Sequence, residues 1–108
     1  MNHPLIRYHG GKFRLADWII SHFPKHETYV EPFGGGASIL LSKMPSGTEI
    51  YNDLDSEVVN FFKVLRCESK RMKLIEQLEL TPYARNEFVD AYGHTECEIE
   101  KARRLVIR

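Results

Sequence analysis

Apolar positions in the first eighty residues switch between helical periodicity and short β-prone runs. Leu15, Trp18, Ile19 and Phe23 recur at helical spacing and predict a short amphipathic helix, stopped by Pro24. Thr28-Tyr29-Val30 predicts a strand, followed by Glu31-Pro32-Phe33 and the consecutive glycines Gly34, Gly35 and Gly36. From Ala37 to Lys43 the pattern is helical again, with Ile39, Leu40 and Leu41 on its apolar side, until Pro45-Ser46-Gly47 ends it. Thr48-Glu49-Ile50-Tyr51 predicts a second strand running into Asn52-Asp53. A longer helix starts near Asp55-Ser56, with Val58, Val59, Phe62 and Leu65 on one face. Upstream, Pro4 to Lys12 reads as a loop closed by the Gly10-Gly11 turn. Strand, glycine turn, helix, strand, helix is the start of a doubly wound α/β sheet.

The pattern changes near residue 81. Thr81-Pro82 combines a cap with proline at the first helical position, and Gly93 ends the helix it would start. Thr95-x-x-Glu98 has the form of a capping box for a last helix, which reaches Arg108 without a stop signal. The sequence therefore predicts a boundary near residues 80–82. Residues 1–80 open an α/β domain, and residues 81–108 begin a helical one that is cut short.

Composition narrows the class. At 108 residues the chain is long enough for one modest domain and too short for a complete two-domain enzyme. With 43% hydrophobic and 11% aromatic residues it can build a core. Lys plus Arg equal Asp plus Glu at 15 each, which argues against this segment being the main surface that grips DNA. Cys67 and Cys97 lack metal or redox spacing and fit a reduced, cytoplasmic protein. His22 and His26 stand four apart but straddle Pro24, so no metal site is expected there. No apolar run approaches a membrane span, so no membrane partner is expected, and a monomer is.

The chemistry centres on Glu31-Pro32-Phe33-Gly34-Gly35-Gly36, where the first strand hands over to a helix. Glycines let backbone approach a ligand that side chains would block, and a following helix offers unpaired N–H groups. The plain alternative is a tight packing turn. Asp53 falls at the end of the second strand, where a carboxylate can accept from ribose hydroxyls. Asp55 directly precedes the next helix and fits its cap better, which leaves Asp53 for a ligand. The glycines are contiguous rather than spaced G-x-G-x-x-G, and an acid precedes them. Glu31 would repel a pyrophosphate but suits a ligand with an amino group and a sulfonium, such as S-adenosylmethionine.

These motifs resemble those of the Dam-like DNA adenine-N6 methyltransferases. Arg7-Tyr8-His9-Gly10-Gly11-Lys12 looks like their N-terminal [K/R]-[W/Y]-x-G-G-K element, and Tyr29 through Ser38 resembles their motif I, generally F-x-G-x-G. Ile50-Tyr51-Asn52-Asp53 resembles their second-strand motif. Residues 81–88 and 98–108 are similar to the segment that opens their target-recognition region. The resemblance implies a Rossmann-like S-adenosylmethionine-dependent methyltransferase sheet followed by the beginning of a helical target-recognition domain. It implies that Tyr8 packs on the cofactor, Lys12 holds its carboxylate end and Asp53 binds its ribose. An aromatic face and a lysine suit those tasks; the plain alternatives are a surface aromatic covering the helix behind it for Tyr8 and a solvated charge for Lys12. The cofactor set is then Tyr8, Gly11, Lys12, Glu31, Pro32, Phe33, Gly34, Gly35, Gly36 and Asp53.

The family's D-P-P-Y motif, which holds the flipped adenine, is absent, since no Pro-Pro occurs in the chain. The expectation is therefore a fragment of an enzyme acting on double-stranded DNA, itself inactive and with no assignable catalytic residue. Glu96, Glu98, Glu100, Arg103 and Arg104 read as a solvated helix face. The competing readings are a non-catalytic nucleoside-binding module and a fragment of a Rossmann-type oxidoreductase.

Overall fold

The computed structural model describes residues 3–108. A 3-10 turn at Phe13–Leu15 leads into α1 (Ala16–Ile20), followed by β1 (Thr28–Glu31), α2 (Ser38–Ser42) and β2 (Thr48–Tyr51). Four helices follow: α3 (Ser56–Arg66), α4 (Glu68–Glu79), α5 (Arg85–Asp90) and α6 (Glu98–Ile107). The chain is mixed α/β and divides into two compact units at Leu54/Asp55. This division falls earlier than the compositional change at 80–82, because α6 packs with α3 and α4 rather than apart from them.

In the first unit β1 and β2 pair in parallel, with Thr28 opposite Thr48 and Glu31 opposite Tyr51. Parallel neighbours require a crossover, and the glycine turn with α2 supplies it. The predicted order of strand, glycine turn, helix and strand is thus present. The helix predicted through Phe23 is shorter: α1 ends at Ile20, and Phe23 stacks against Tyr29 at 5.5 Å between ring centroids. Its apolar face is also uncovered, with Leu15 55% and Trp18 65% exposed, while the small Ala16 is buried. Lys43 is buried because its ammonium is fully engaged. It donates to the Met44 carbonyl, Ser46 Oγ and Glu49 Oε2 at 2.8, 2.6 and 2.6 Å, and lies over the Tyr29 ring.

The second unit packs α3 against α4 and α6, and α4 against α6. Asp55 caps α3 as expected, its Oδ1 accepting from the Glu57 N–H at 3.0 Å. The buried face of α3 is Val58, Phe61 and Val64, with Val59, Phe62 and Leu65 half-buried beside it. Val58 of the predicted face is thus buried, while its other three members flank the buried stripe, since α3 packs against both α4 and α6. Cys67, in extended conformation, alone separates α3 from α4, whose buried side chain is Leu74. Cys67 and Cys97 are free thiols.

Two predicted helix starts are corrected. Thr81 does not cap a helix at Pro82: its hydroxyl donates back to the Gln77 carbonyl at 2.7 Å, and α5 begins at Arg85. Thr95 and Glu98 form no capping box either. Thr95 Oγ1 accepts from the Cys97 N–H, and the Glu98 carboxylate pairs with Lys70. The charged positions expected to form a solvated face are likewise only partly solvated. Glu96 and Glu98 are exposed, but Glu100, Arg103 and Arg104 form a half-buried network.

Candidate functional site

The site lies wholly within the first unit and starts from two turns. In the N-terminal loop the Gly11 N–H donates to the Tyr8 carbonyl at 2.9 Å, across a Gly10 whose φ of +78° favours glycine. That turn brings Tyr8, Gly11 and Lys12 to one wall of a cavity of about 410 Å³. The segment leaving β1 also lines it: Glu31, Pro32, Phe33, Gly34, Gly35 and Gly36. Asp53, just beyond β2, completes it. Every residue singled out from the sequence for cofactor binding lines this one cavity, joined by His9, Gly10, Val30, Ser38 and Ile39. Adjacency to the chosen motifs was the signal for those five.

Glu31 is the most constrained group in the wall. Its side chain is buried, and Oε1 accepts from the Tyr29 hydroxyl at 3.0 Å and the Leu40 N–H at 3.2 Å. Oε2 is buried and has no hydrogen-bond partner. Burial raises the Glu31 carboxyl above the usual carboxylate range, while the hydrogen bonds and the nearby Lys12 charge oppose that rise. The expectation that α2 offers its first N–H groups to a ligand is therefore modified: Glu31 already takes that of Leu40.

A raised acid destabilises the fold when ionised. At pH below the ordinary carboxylate value the group is protonated in both states and costs nothing. The penalty grows as pH rises from there through the raised folded value. Glu31→Gln keeps an amide oxygen able to accept from Tyr29 and Leu40 and is expected to gain stability relative to the parent as pH rises from 4 to 7, as read in circular-dichroism melts. A pH-independent difference contradicts the assignment.

The glycines are required by packing as well as by access. A Cβ at Gly34 would stand 2.1 Å from Tyr51 Cε2, and one at Gly35, where φ is +51°, would stand 2.8 Å from Tyr8 Cε1. Tyr8 thus lies against the glycine turn and is not an isolated surface aromatic. Asp53 is also engaged, its Oδ2 accepting from the Gly35 N–H at 2.8 Å. The sequence reading that Asp55 leaves Asp53 to a ligand holds for the helix cap but missed this bond. It also missed Tyr51, whose hydroxyl donates to the Gly35 carbonyl at 2.5 Å.

His22 and His26 are occupied locally, His22 Nδ1 lying 2.8 Å from the Trp18 carbonyl and His26 Nε2 3.0 Å from Ser46 Oγ. Among the described residues no group of three His, Cys, Asp or Glu is placed to hold a metal ion. No helix among them is long and apolar enough to cross a membrane.

Residues 8–106 match the family described as D12 class N6 adenine-specific DNA methyltransferase. The chain belongs to that family. Relatives of this D12-class chain include the modification methylase StsI of Streptococcus sanguinis, 31% identical over 75 residues, or 68% of this chain and 11% of that protein. The DNA adenine methylase of Escherichia coli (strain K12) is 34% identical over 68 residues, covering 63% of this chain and 24% of its own length. The DNA N-6-adenine-methyltransferase of Escherichia phage P1 is 28% identical over 65 residues, 60% of this chain and 8% of that one. The D12-class chain thus spans about a quarter or less of the length of the curated relatives it matches.

Proposed function

We propose that the protein carrying this chain methylates N6 of adenine in double-stranded DNA, and that the cavity holds its cofactor, S-adenosylmethionine. The observation that carries this reading is the convergence of Tyr8, Lys12, Glu31 and Asp53 on one cavity; Glu31 also holds a buried oxygen without a hydrogen-bond partner. A buried carboxylate oxygen without a partner calls for a donor or a cation, and the ammonium and sulfonium of this cofactor are such groups. The same carboxylate disfavours a pyrophosphate, and so an oxidoreductase dinucleotide.

When bound, S-adenosylmethionine supplies an activated methyl group. The chain's residues serve to hold and orient it: the Tyr8 face for the adenine or the sulfonium, Lys12 for the carboxylate, Glu31 for the amino group and Asp53 for the ribose. The bond from Gly35 does not exhaust Asp53, since a carboxylate offers about four acceptor positions. In this reading β1–α2–β2 opens a Rossmann-like sheet. Residues 1–80 are the cofactor part of the methyltransferase domain, and residues 81–108 begin its target-recognition domain. No residue of the chain is given a catalytic role.

The test is methyl transfer from labelled S-adenosylmethionine to duplex DNA by the protein that carries this chain, read as N6-methyladenine. Asp53→Ala should weaken cofactor binding by about 1.5–3 kcal/mol, the worth of a hydrogen bond to a charged group. Asp53→Asn, which keeps an acceptor, should lose less. Methylation at cytosine instead, or undiminished binding by Asp53→Ala, would sink the proposal.

A further inference from the structure

The residues at the end of β2 do more than pair with β1. The Gly35 peptide groups are held from both sides, the N–H donating to Asp53 Oδ2 at 2.8 Å and the carbonyl accepting from the Tyr51 hydroxyl at 2.5 Å. Asn52, between them, takes the Gly34 N–H on its carbonyl at 2.9 Å and donates its side-chain amide to the Pro32 carbonyl at 3.0 Å. Three consecutive residues thus hold the turn at Pro32, Gly34 and Gly35. Gly35 sits at φ +51°, and an unrestrained glycine visits both signs of φ about equally. Holding it at one value requires an external restraint, and the two hydrogen bonds supply it. The Tyr51 ring occupies the space beside Gly34 that a Cβ would need.

We infer that Tyr51 is a positioning residue for the cavity: its hydroxyl fixes the Gly35 carbonyl, and with Asp53 it presets the glycine turn in the shape that a ligand meets. The inference rests on the cavity being the cofactor site. Tyr51 touches no ligand in this role; it acts through Gly35. A preset turn spares the ligand the ordering cost of binding. Asp53 would also meet the ligand, whereas Tyr51 acts on the site through the turn, so Tyr51 is the place to test the clamp.

Tyr51→Phe keeps the ring and removes the hydroxyl. In the unaltered chain and in this variant, the Gly35 amide would be followed by nitrogen-15 NMR, with titration of S-adenosylhomocysteine into the millimolar range. The clamp predicts a displaced Gly35 amide resonance and at least fivefold faster hydrogen exchange there, with the Leu74 amide unchanged. It also predicts roughly five- to tenfold weaker binding of S-adenosylhomocysteine. A ring that merely fills space would leave Gly35 exchange and binding as they were, and that result overturns the inference. Faster Gly35 exchange in the variant, with no binding by the unaltered chain, would overturn the cofactor reading instead and keep Tyr51 as anchor of the turn.

Discussion

Gly34→Ala is expected to abolish measurable binding of S-adenosylhomocysteine and to destabilise the first unit, whereas Gly36→Ala leaves folding nearly intact. The two glycines belong to one motif, yet their surroundings differ. At Gly34 the new Cβ would lie 2.1, 2.5 and 2.9 Å from three atoms of the Tyr51 ring, far inside the 3.5–4.0 Å at which carbon atoms rest. The ring cannot move aside cheaply. Its hydroxyl is bonded to Gly35, and its backbone is paired in register with β1. At Gly36 the nearest atoms are 3.6 and 3.7 Å away, which is ordinary contact. Overpacking of this kind costs about 1–3 kcal/mol, and each kcal/mol lowers the unfolding midpoint of so small a chain by roughly 4–8 °C. The double variant Gly34→Ala, Tyr51→Ala should lose less than the sum of its two single changes, because the clash is absent once the ring is gone. Thermal melts of these variants decide the matter. Equal midpoints for Gly34→Ala and Gly36→Ala would contradict the close packing of the Tyr51 ring on Gly34.

The second large effect is expected at Arg103, in the helical unit. Its guanidinium donates to Glu100 through Nε and Nη2 at 2.8 and 2.6 Å, and through Nη1 to Glu87 at 3.1 Å and Thr81 at 3.2 Å. One side chain therefore ties α6 to α5 and to the segment that follows α4, with 15% of its side-chain surface exposed. Arg103 also holds the Glu100 carboxyl down to about 2. Arg103→Met keeps much of the stem and removes all four bonds, leaving Glu87 without this partner and Glu100 with Arg104 alone. The expected loss is roughly 2 kcal/mol at pH 7, the scale of hydrogen bonds to charged groups in a half-buried setting. The sign of the pH dependence follows from the depressed acid. Its contribution is complete above the ordinary carboxylate value and disappears as pH falls through about 2. Urea titrations should thus show the gap between parent and variant narrowing only as pH falls below the ordinary carboxylate value toward about 2. A constant gap would mean that the arginine acts by packing rather than by charge.

The parts of this molecule that the sequence made legible are those governed by local rules. The glycine run after a β-prone segment, the β-prone run at Thr48–Tyr51 and the Asp55 cap each declare themselves within a few residues, and each appears in place. The cavity lining was legible for the same reason, since its walls are the motifs themselves. What escaped depends on partners distant in the chain. Tyr51 was one more strand residue until its ring met Gly34 and its hydroxyl met Gly35. Thr81 reads as a helix cap locally, but its hydroxyl is used by Gln77 and Arg103. The α3–α4 break at Cys67 carries no glycine or proline, and α4 has little apolar periodicity to announce it. On α3 the sequence marks Val58 as buried but not Phe61 and Val64, because Val59, Phe62 and Leu65 are as apolar as the residues that the packing buries.

Whether the cavity between the Tyr8–Lys12 loop and the glycine turn takes S-adenosylmethionine is tested most directly by nitrogen-15 NMR of the chain. Separate titrations with S-adenosylhomocysteine and with NAD would each be carried into the millimolar range. The homocysteine nucleoside is expected to move the amide resonances of Gly11, Gly34, Gly35, Gly36 and Asp53 together and to leave the α3, α4 and α6 amides in place. NAD is expected to move none of them. Shifts at those five residues with NAD alone would contradict the assignment of the cavity to the methyl donor.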